Sequence, residues 1–302
     1  MRERWTEDSI PDLSGKTAIV TGANSGVGFE ISKVLARHGA RVFMACRNLG
    51  KANDAVEEIR VENPAGDLRI RHLDLASLAS VTRFSAEFLN RESQLHLLIN
   101  NAGLMAINEK RTVDGFEMQF AVNYLGHFAL SSMLMPLLTS TPGSRLVSVS
   151  SNAHKFGKMD FDDLMYERRR YSRWGAYGQS KLAILLFILE LNNRPGRDSA
   201  TKALAAHPGV AHTKLGQNGG GMVALGFHLS APLIAHSAYK GSLPVLRAAT
   251  DSLAQGGQYF GPRHSLWGSP VLATPSNSAR NSEDARRLWA ISEELTGTEF
   301  PT

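Results

Sequence analysis

The stretch Thr21-Gly22-Ala23-Asn24-Ser25-Gly26-Val27-Gly28 decides the fold that we expect for this chain. The apolar run 17–20 leads into it, and the amphipathic segment 29–38 follows it. A glycine turn between a strand and a helix presents backbone N–H groups and a helix N-terminus to a phosphate. Gly22 permits a sharp turn, Gly26 leaves room for a pyrophosphate, and Gly28 lets the helix pack closely on the sheet. This placement favours a nucleotide site over an ordinary glycine turn.

The composition is that of an ordinary soluble protein, since 43% of the 302 residues are hydrophobic and 20% are charged. The net charge of +5 comes from scattered residues. The one tight basic cluster, Arg168-Arg169-Arg170, is typical of a solvated loop or helix end, and a nucleic-acid patch is the weaker interpretation. We therefore predict no nucleic-acid partner.

The compartment is inferred from the cysteine content and the apolar runs. A single cysteine, Cys46, excludes an internal disulfide and fits a reducing compartment. The N-terminal residues lack the apolar core of a signal peptide, and the longest apolar run, 182–189, is too short to cross a bilayer. We expect a cytoplasmic protein with no membrane span.

Short apolar runs alternate with helical patterns from residue 16 onward. Strands are predicted over residues 17–21, 41–46, 68–73, 95–100, 145–150 and 202–206. Helices are predicted over residues 26–38, 51–61, 78–90, 116–138 and 174–192, and Pro136 is expected to kink or end the fourth of them. This alternation predicts an α/β fold, a Rossmann-type doubly wound parallel sheet, in a single domain of residues 1–302.

Three parts are distinguished within this domain: a dinucleotide-binding and catalytic core over 14–213, a lid over 211–235, and a C-terminal segment over 236–302. The middle part contains Gly219-Gly220-Gly221 and an apolar run, so it is either a surface loop or a glycine-hinged lid over an apolar pocket. We favour the lid because it follows the last predicted strand. The C-terminal segment is predicted to hold a helix over 282–295, with Ser282 as its N-cap.

The end of the second predicted strand, Ala45-Cys46-Arg47-Asn48, bears on the choice of coenzyme. An acid at this point usually hydrogen-bonds the adenosine ribose of NAD, and it would repel a 2′-phosphate. Arg47 can instead bind such a phosphate with its fork of N–H donors. Given the glycine turn upstream, we predict NADP rather than NAD as the cofactor.

Tyr177 and Lys181 are spaced four apart and share one face of a predicted helix. A free phenol, with a pKa of about 10, is a poor base, and a nearby ammonium group lowers that pKa. The pair could pass a proton to or from a carbonyl or alcohol oxygen, although such a pair is more often ordinary helix surface. Ser151 follows the fifth strand, where a hydroxyl can orient the reacting oxygen or simply start a turn.

Two further features leave alternatives open. Asn123 lies in an apolar helix, where a buried amide is either part of a structural network or part of a proton relay. The run 182–189 is apolar on all sides, so its helix is covered either by the rest of a monomer or also by a partner subunit. A homodimer or homotetramer is therefore one prediction for the assembly.

Taken together and in this order, the motifs resemble those of the short-chain dehydrogenase/reductase superfamily. The motifs are Thr21 to Gly28, Leu73-Asp74-Leu75, Asn100 to Gly103, Asn123, Ser151, Tyr177 with Lys181, and Pro208-Gly209 with Thr213. Within the superfamily, Ala45-Cys46-Arg47-Asn48 and His207-Pro208-Gly209-Val210 resemble the retinol dehydrogenase and protochlorophyllide reductase group, which is mainly NADP-dependent.

The resemblance implies a role for each matching position. Tyr177 would be the acid/base, Lys181 would lower its pKa and hold the nicotinamide ribose, Ser151 would orient the substrate oxygen, and Asn123 would support a water-linked proton path. The implied cofactor-binding residues are Gly22, Asn24, Ser25, Gly26, Val27, Gly28, Arg47, Asn48, Asp74, Leu75, Asn101, Ala102, Gly103, Tyr177, Lys181, Pro208, Val210 and Thr213. No metal site is predicted.

The sequence therefore predicts an NADP(H)-dependent oxidoreductase that interconverts a carbonyl and an alcohol on a lipophilic small molecule. Candidate pocket residues are Met222, Leu225, Phe227 and His154, each of which could equally be ordinary packing. The alternative is a non-catalytic NADP-binding sensor or partner protein on the same fold. Retention of both Tyr177 and Lys181 argues against that alternative.

Overall fold

A central sheet of eight strands organises the computed structural model, which describes residues 5–194, 201–209 and 237–300. The strand order is β3-β2-β1-β4-β5-β6-β7-β8, and all neighbours are parallel except the last pair. The strands are β1 (Thr17–Thr21), β2 (Arg41–Cys46), β3 (Leu68–His72), β4 (Leu97–Asn100), β5 (Arg145–Val149), β6 (Lys202–Ala206), β7 (Tyr259–Pro262) and β8 (Pro270–Leu272). The predicted doubly wound α/β fold in one domain is confirmed.

Helices cover both faces of this sheet. They are α1 (Gly26–Arg37), α2 (Leu49–Glu62), α3 (Leu78–Leu89), α4 (Met118–Ser140), α5 (Arg173–Asn193), α6 (Ala238–Thr250) and α7 (Ser282–Thr296). Within α4, the segment Ala121–Leu125 is π-helical. Short 3₁₀ turns lie at Glu7–Ser9, Asn152–Lys155 and Ser278–Arg280.

Two local predictions differ from the structure. We expected Pro136 to kink or end the helix, and α4 does not end there but continues to Ser140. The proline itself lies on the exposed side of the helix. The N-cap of α7 is Asn281 rather than Ser282, because the Asn281 Oδ1 accepts hydrogen bonds from the backbone N–H groups of Glu283 and Asp284 at 3.0 and 3.2 Å.

The sheet separates two hydrophobic cores, as alternation along β1 illustrates. Ile19 points into the core formed with α3, α4, α5 and α7, whereas Ala18 and Val20 point into the core formed with α1, α2 and α6. All three residues are fully buried. A strand buried on both faces must be apolar at every position, which is why the sequence shows continuous apolar runs rather than alternation.

Two apolar helices are covered within this one chain. Among the described residues, one helix, α4, is long and apolar enough to cross a bilayer, with a mean hydropathy of 1.2. Inside the fold, 83% of that window is buried, as is typical of a core helix. The run 182–188 of α5 is also buried without a second copy, so oligomerisation stays a prediction.

Parallel pairing brings the candidate residues to one edge. Ile99 pairs with Val20, and Asn100 pairs with Ser148, so β1, β4 and β5 end at the same edge of the sheet. Strands β2 and β3 extend the sheet on one side of β1, whereas β4 to β8 extend it on the other, and ligands bind open α/β sheets in the crevice at such a switch point.

Candidate active site

The turn between β1 and α1 is shaped by glycines that no other residue could replace without strain. Gly22 and Gly26 have φ angles of +65° and +58°. A Cβ on Gly28 would lie 2.4 Å from the Nδ2 of Asn101 and 2.5 Å from the carbonyl oxygen of Gly22. Ser25 is the N-cap residue of α1, but its side chain makes no capping hydrogen bond. The first N–H groups of α1 are thus left available to an anion.

A cleft of about 320 Å³ runs from this turn across the ends of β1, β2 and β4. Its lining residues are Gly22, Asn24, Ser25, Val27, Gly28, Ala45, Arg47, Asn48, Lys51, Leu73, Asp74, Leu75, Asn101, Ala102, Gly103, Leu104 and Val122. This set contains every residue that the sequence assigned to the adenosine and phosphate end of a dinucleotide except Gly26. The glycine turn, the helix N-terminus and the cations suit the phosphates of a dinucleotide.

Two cations, Arg47 and Lys51, lie at one end of the cleft. Both side chains are exposed, and within residues 5–194, 201–209 and 237–300 neither of them forms an ion pair. Lys51 is a residue that the sequence analysis missed. Its position four residues after Arg47, in the first turn of α2, is the signal that could have found it.

The predicted proton-transfer residues converge beside β5. Tyr177 and Lys181 lie on one face of α5, and the Lys181 Nζ is 5.8 Å from the centre of the Tyr177 ring. Lys181 donates a hydrogen bond from its Nζ to the carbonyl oxygen of Val149 at 2.9 Å. Ser151 lies two residues after Val149, and its side chain hydrogen-bonds that of Tyr177. Hydroxyl, phenol and amine thus form one cluster at the carboxyl edge of the sheet.

Asn123 connects this cluster to the cleft. Its side chain is fully buried in the π-helical segment and makes three hydrogen bonds. The Oδ1 accepts from the backbone N–H of Leu104 at 2.6 Å, and the Nδ2 donates to the carbonyl of Leu104 at 3.0 Å and to the Oγ of Ser180 at 2.8 Å. A Cβ on Gly103 would lie 3.2 Å from the Asn123 Oδ1 and 3.5 Å from the Lys181 Nζ. The cleft wall and the proton-transfer residues are therefore neighbours.

The protonation behaviour of the pair differs from the prediction. Burial raises the pKa of Tyr177, and only its hydrogen bond with Ser151 acts in the opposite direction. Burial also lowers the pKa of Lys181 to about 7. The expected lowering of the phenol pKa by a lysine cation is absent here, because removal from water disfavours both charged forms.

The buried amine gives a testable pH dependence of stability. In the unfolded chain a lysine titrates near its ordinary pKa of about 10.4, so between about pH 7 and 10 the unfolded chain holds a proton that the folded chain has lost. Lysine burial is therefore most destabilising below about pH 7. We expect Lys181→Met to raise the free energy of unfolding at about pH 6, and this gain to shrink by up to about 1.4 kcal/mol per pH unit above about pH 7.

The measurement is urea unfolding without coenzyme at several pH values. Lys202→Met is the control, because the Lys202 Nζ also donates to a backbone carbonyl, that of Ala254 at 2.7 Å, but the residue is only partly buried. We expect no pH-dependent gain for the control. A gain for Lys181→Met that does not change with pH would contradict the assignment.

The long segment between Ser151 and Tyr177 is bound to the helix that carries Tyr177. Arg169 donates from its Nη2 to the Oε1 of Gln179 at 2.7 Å and lies 3.7 Å over the ring of Tyr166. The Nε2 of Gln179 donates to the carbonyl of Leu164 at 2.8 Å. Arg169 is therefore a structural residue, and the basic cluster of three is not a free patch.

Several predicted site residues are not placed in the cleft or in the proton-transfer cluster. Pro208 follows β6 and is half-buried. Val210, Thr213 and the proposed lid over 211–235, with Met222, Leu225 and Phe227, lie outside the described residues. His154 is buried, and its Nε2 accepts a hydrogen bond from the backbone N–H of Ser276 at 3.2 Å, so it packs against the C-terminal segment. Within the described ranges, no group of three or more His, Cys, Asp or Glu residues could hold a metal ion.

Comparison with known proteins agrees with this arrangement. The short chain dehydrogenase family model matches residues 16–220. Retinol dehydrogenase 13 of Homo sapiens is 41% identical over 299 residues, which cover 96% of this chain and 87% of that protein. Retinol dehydrogenase 12 of Homo sapiens is 41% identical over 290 residues, which cover 94% and 87% of the two chains.

A solved structure is similar over almost the full length. The crystal structure of an uncharacterized protein from Mycobacterium Paratuberculosis has 41% identity and a TM-score of 0.84, and the match covers 99% of this chain and 100% of that chain. The order of the motifs, the family match and the similarity to two retinol dehydrogenases all agree. The chain belongs to the short chain dehydrogenase family, oxidoreductases that act on alcohol and carbonyl groups with a nicotinamide coenzyme.

Proposed function

We propose that this protein is an NADP(H)-dependent oxidoreductase that interconverts a carbonyl and an alcohol on a lipophilic small molecule. One observation carries the proposal: Ser151, Tyr177 and Lys181 cluster at the sheet edge next to a cleft that is also lined by two cations, neither of which forms an ion pair with a described residue. The apolar substrate class is supported by two relatives named for retinol, an apolar alcohol. A cytoplasmic location, inferred from the single cysteine, is part of the same proposal.

The roles of the side chains follow from their protonation. When bound, the coenzyme supplies a hydride to the carbonyl carbon or takes one from the alcohol carbon. Ser151 donates a hydrogen bond that orients the substrate oxygen. The raised pKa of Tyr177 keeps the phenol protonated at neutral pH, so it is ready to give a proton to that oxygen as the carbonyl is reduced. Lys181, with a pKa of about 7, can return a proton to the phenolate near neutral pH.

The choice of NADP depends on Arg47. Its guanidinium is exposed at the end of the cleft, where a fork of donors can bind a 2′-phosphate. Charge-assisted hydrogen bonds of this kind are worth about 1.5–3 kcal/mol. We expect Arg47→Asp to weaken NADPH binding about 100-fold and to shift the preference toward NADH.

The measurement is the Kd of each coenzyme by fluorescence titration. Arg60→Asp on the far part of α2 is the control, because it makes the same charge change at an exposed residue outside the cleft. We expect the control to leave the preference between the two coenzymes unchanged. Tighter binding of NADH than of NADPH by the wild-type protein would overturn the NADP assignment.

The proposed activity is tested directly by NADPH consumption against a panel of apolar ketones and aldehydes, and by NADP⁺ reduction with the matching alcohols. We expect turnover that increases with the apolar surface of the substrate. Tight binding of NADPH with no turnover of any member of the panel would favour the non-catalytic binding protein instead.

A further inference from the structure

His127 is a fully buried histidine that none of the steps above uses. It lies on α4, four residues after Asn123, and only 4% of its surface is exposed. Its Nε2 is 2.9 Å from the Oγ1 of Thr21, and its Nδ1 is 3.0 Å from the carbonyl oxygen of Asn123. The ring therefore bridges the last residue of β1 and the π-helical segment of α4.

The hydrogen bonds around Thr21 determine which ring nitrogen carries the proton. The Thr21 Oγ1 accepts from the backbone N–H groups of Asn101 and Ala102, both at 2.9 Å, which uses its two lone pairs. Its own proton is then given to the His127 Nε2 at 2.9 Å, because the other acceptor, the carbonyl of Ile99, is 3.4 Å away. The Nε2 must therefore be unprotonated, and the Nδ1–H donates to the Asn123 carbonyl.

We propose that His127 is a positioning residue that ties the coenzyme cleft to the proton-transfer residues through two separate hydrogen bonds. This inference rests on the function proposed above. The first bond, to Thr21, holds the hydroxyl that anchors the 101–102 turn, and that turn lines the cleft. The second bond, to the Asn123 carbonyl, holds the residue whose side chain contacts Leu104 and Ser180, next to Lys181.

Burial keeps the ring in the neutral form that both bonds require. His127 is almost fully removed from water, and burial lowers its pKa to about 4. The hydrogen bond to the Asn123 carbonyl opposes that shift, and Lys181 adds to it. Among the described residues, the charged side chain that acts on the ring is the amine of Lys181, and no carboxylate acts on it to favour an imidazolium.

Two isosteric variants separate the two bonds. In His127→Asn, the amide nitrogen takes the place of the Nδ1 and keeps the bond to the Asn123 carbonyl, but the Thr21 acceptor is lost. In His127→Gln, the amide oxygen takes the place of the Nε2 and keeps the bond to Thr21, but the Asn123 donor is lost. His127→Leu removes both bonds at similar volume. Each neutral hydrogen bond contributes about 1 kcal/mol, so each loss is expected to change the affected quantity about 5- to 10-fold.

We expect His127→Asn to raise the Kd of NADPH about 5- to 10-fold with kcat nearly unchanged. His127→Gln is expected to keep that Kd and to lower kcat by about the same factor, and His127→Leu to change both. The measurements are fluorescence titration with NADPH, steady-state kinetics, and thermal unfolding to identify variants that fail to fold. Equal changes in Kd and kcat for the Asn and Gln variants, at equal Tm, would overturn the proposal.

A measurement independent of turnover is the nitrogen-15 spectrum of the His127 ring without coenzyme. We expect an unprotonated Nε2 and a protonated Nδ1 at neutral pH, together with slow hydrogen exchange of the Asn101 and Ala102 amides that becomes faster in His127→Asn but not in His127→Gln. A proton on Nε2, or unchanged exchange in both variants, would overturn the inference. Failure of the wild-type protein to bind NADPH would overturn the proposed function and leave these spectra interpretable.

Discussion

Replacing Tyr177 by Phe is expected to lower the rate of carbonyl reduction by about 10²–10⁴-fold, the usual contribution of a positioned general acid. Only 8% of the residue is exposed, and the substitution removes one oxygen from a ring that otherwise keeps its packing. The coenzyme cleft is lined by other residues, so the Kd of NADPH is expected to stay within a few-fold of the wild-type value.

The measurement is single-turnover oxidation of NADPH, together with a direct binding titration. Tyr239→Phe is the matched control, because it removes a phenol that is bound to Glu7 at 2.6 Å on α6, away from the cluster of Ser151, Tyr177 and Lys181. We expect full activity for the control. Full activity for Tyr177→Phe would contradict the mechanism, whereas loss of NADPH binding would show that the phenol is needed to hold the coenzyme.

The second large effect is expected from Gly28→Ala, which should weaken NADPH binding about 100-fold. The new methyl carbon would meet the Asn101 Nδ2 at 2.4 Å and the Gly22 carbonyl oxygen at 2.5 Å. Relief requires movement of backbone, since the Asn101 side chain is itself bound to the Thr21 carbonyl at 2.8 Å. Overpacking of this kind costs about 1–3 kcal/mol, and here the cost falls on the turn that would hold the pyrophosphate.

The measurements are the Kd of NADPH and the Tm of the protein without coenzyme. Gly50→Ala in α2 is the control, because its nearest neighbour, the Asn48 Oδ1, would be at 3.4 Å, which is close to an ordinary contact. We expect binding by the control to be unchanged. Wild-type affinity in Gly28→Ala would mean that the turn can relax and that close helix packing is not required of this glycine.

Much of the fold could be predicted from local patterns in the sequence. β1, β2 and β6 have the predicted bounds, because a strand buried on both faces needs an uninterrupted apolar run with abrupt ends. The elements in the last third of the chain were harder to predict. β7 and β8 have four and three residues, and α6 contains a glycine and Pro244, so neither length nor propensity marks them as elements. β7 forms because β6, which is distant in sequence, offers it a partner, and β8 then pairs with β7.

The candidate site likewise contains residues that could be predicted from the sequence and residues that could not. Tyr177 and Lys181 could be found because their residue types and helical spacing indicate proton transfer. Ser151 could be found because it follows the fifth strand. Lys51 was missed although its spacing from Arg47 was a usable signal. His127 could not be found, since a histidine in an apolar run has no evident role until the structure shows the hydroxyl of Thr21 facing its ring. The rise in the pKa of Tyr177 was also missed, because desolvation depends on every atom that covers a group.

The sequence by itself determined the sheet, the glycine turn and the identity of the groups that can bind phosphate or move a proton, because each of these depends on residue type and on spacing along the chain. Only the tertiary structure decided how far those groups are removed from water, which of them touch, and which buried side chains join the cleft to the proton-transfer residues. Burial and hydrogen-bond partners are set by segments far apart in sequence, as the contacts of His127 with Thr21 and of Thr21 with Asn101 illustrate.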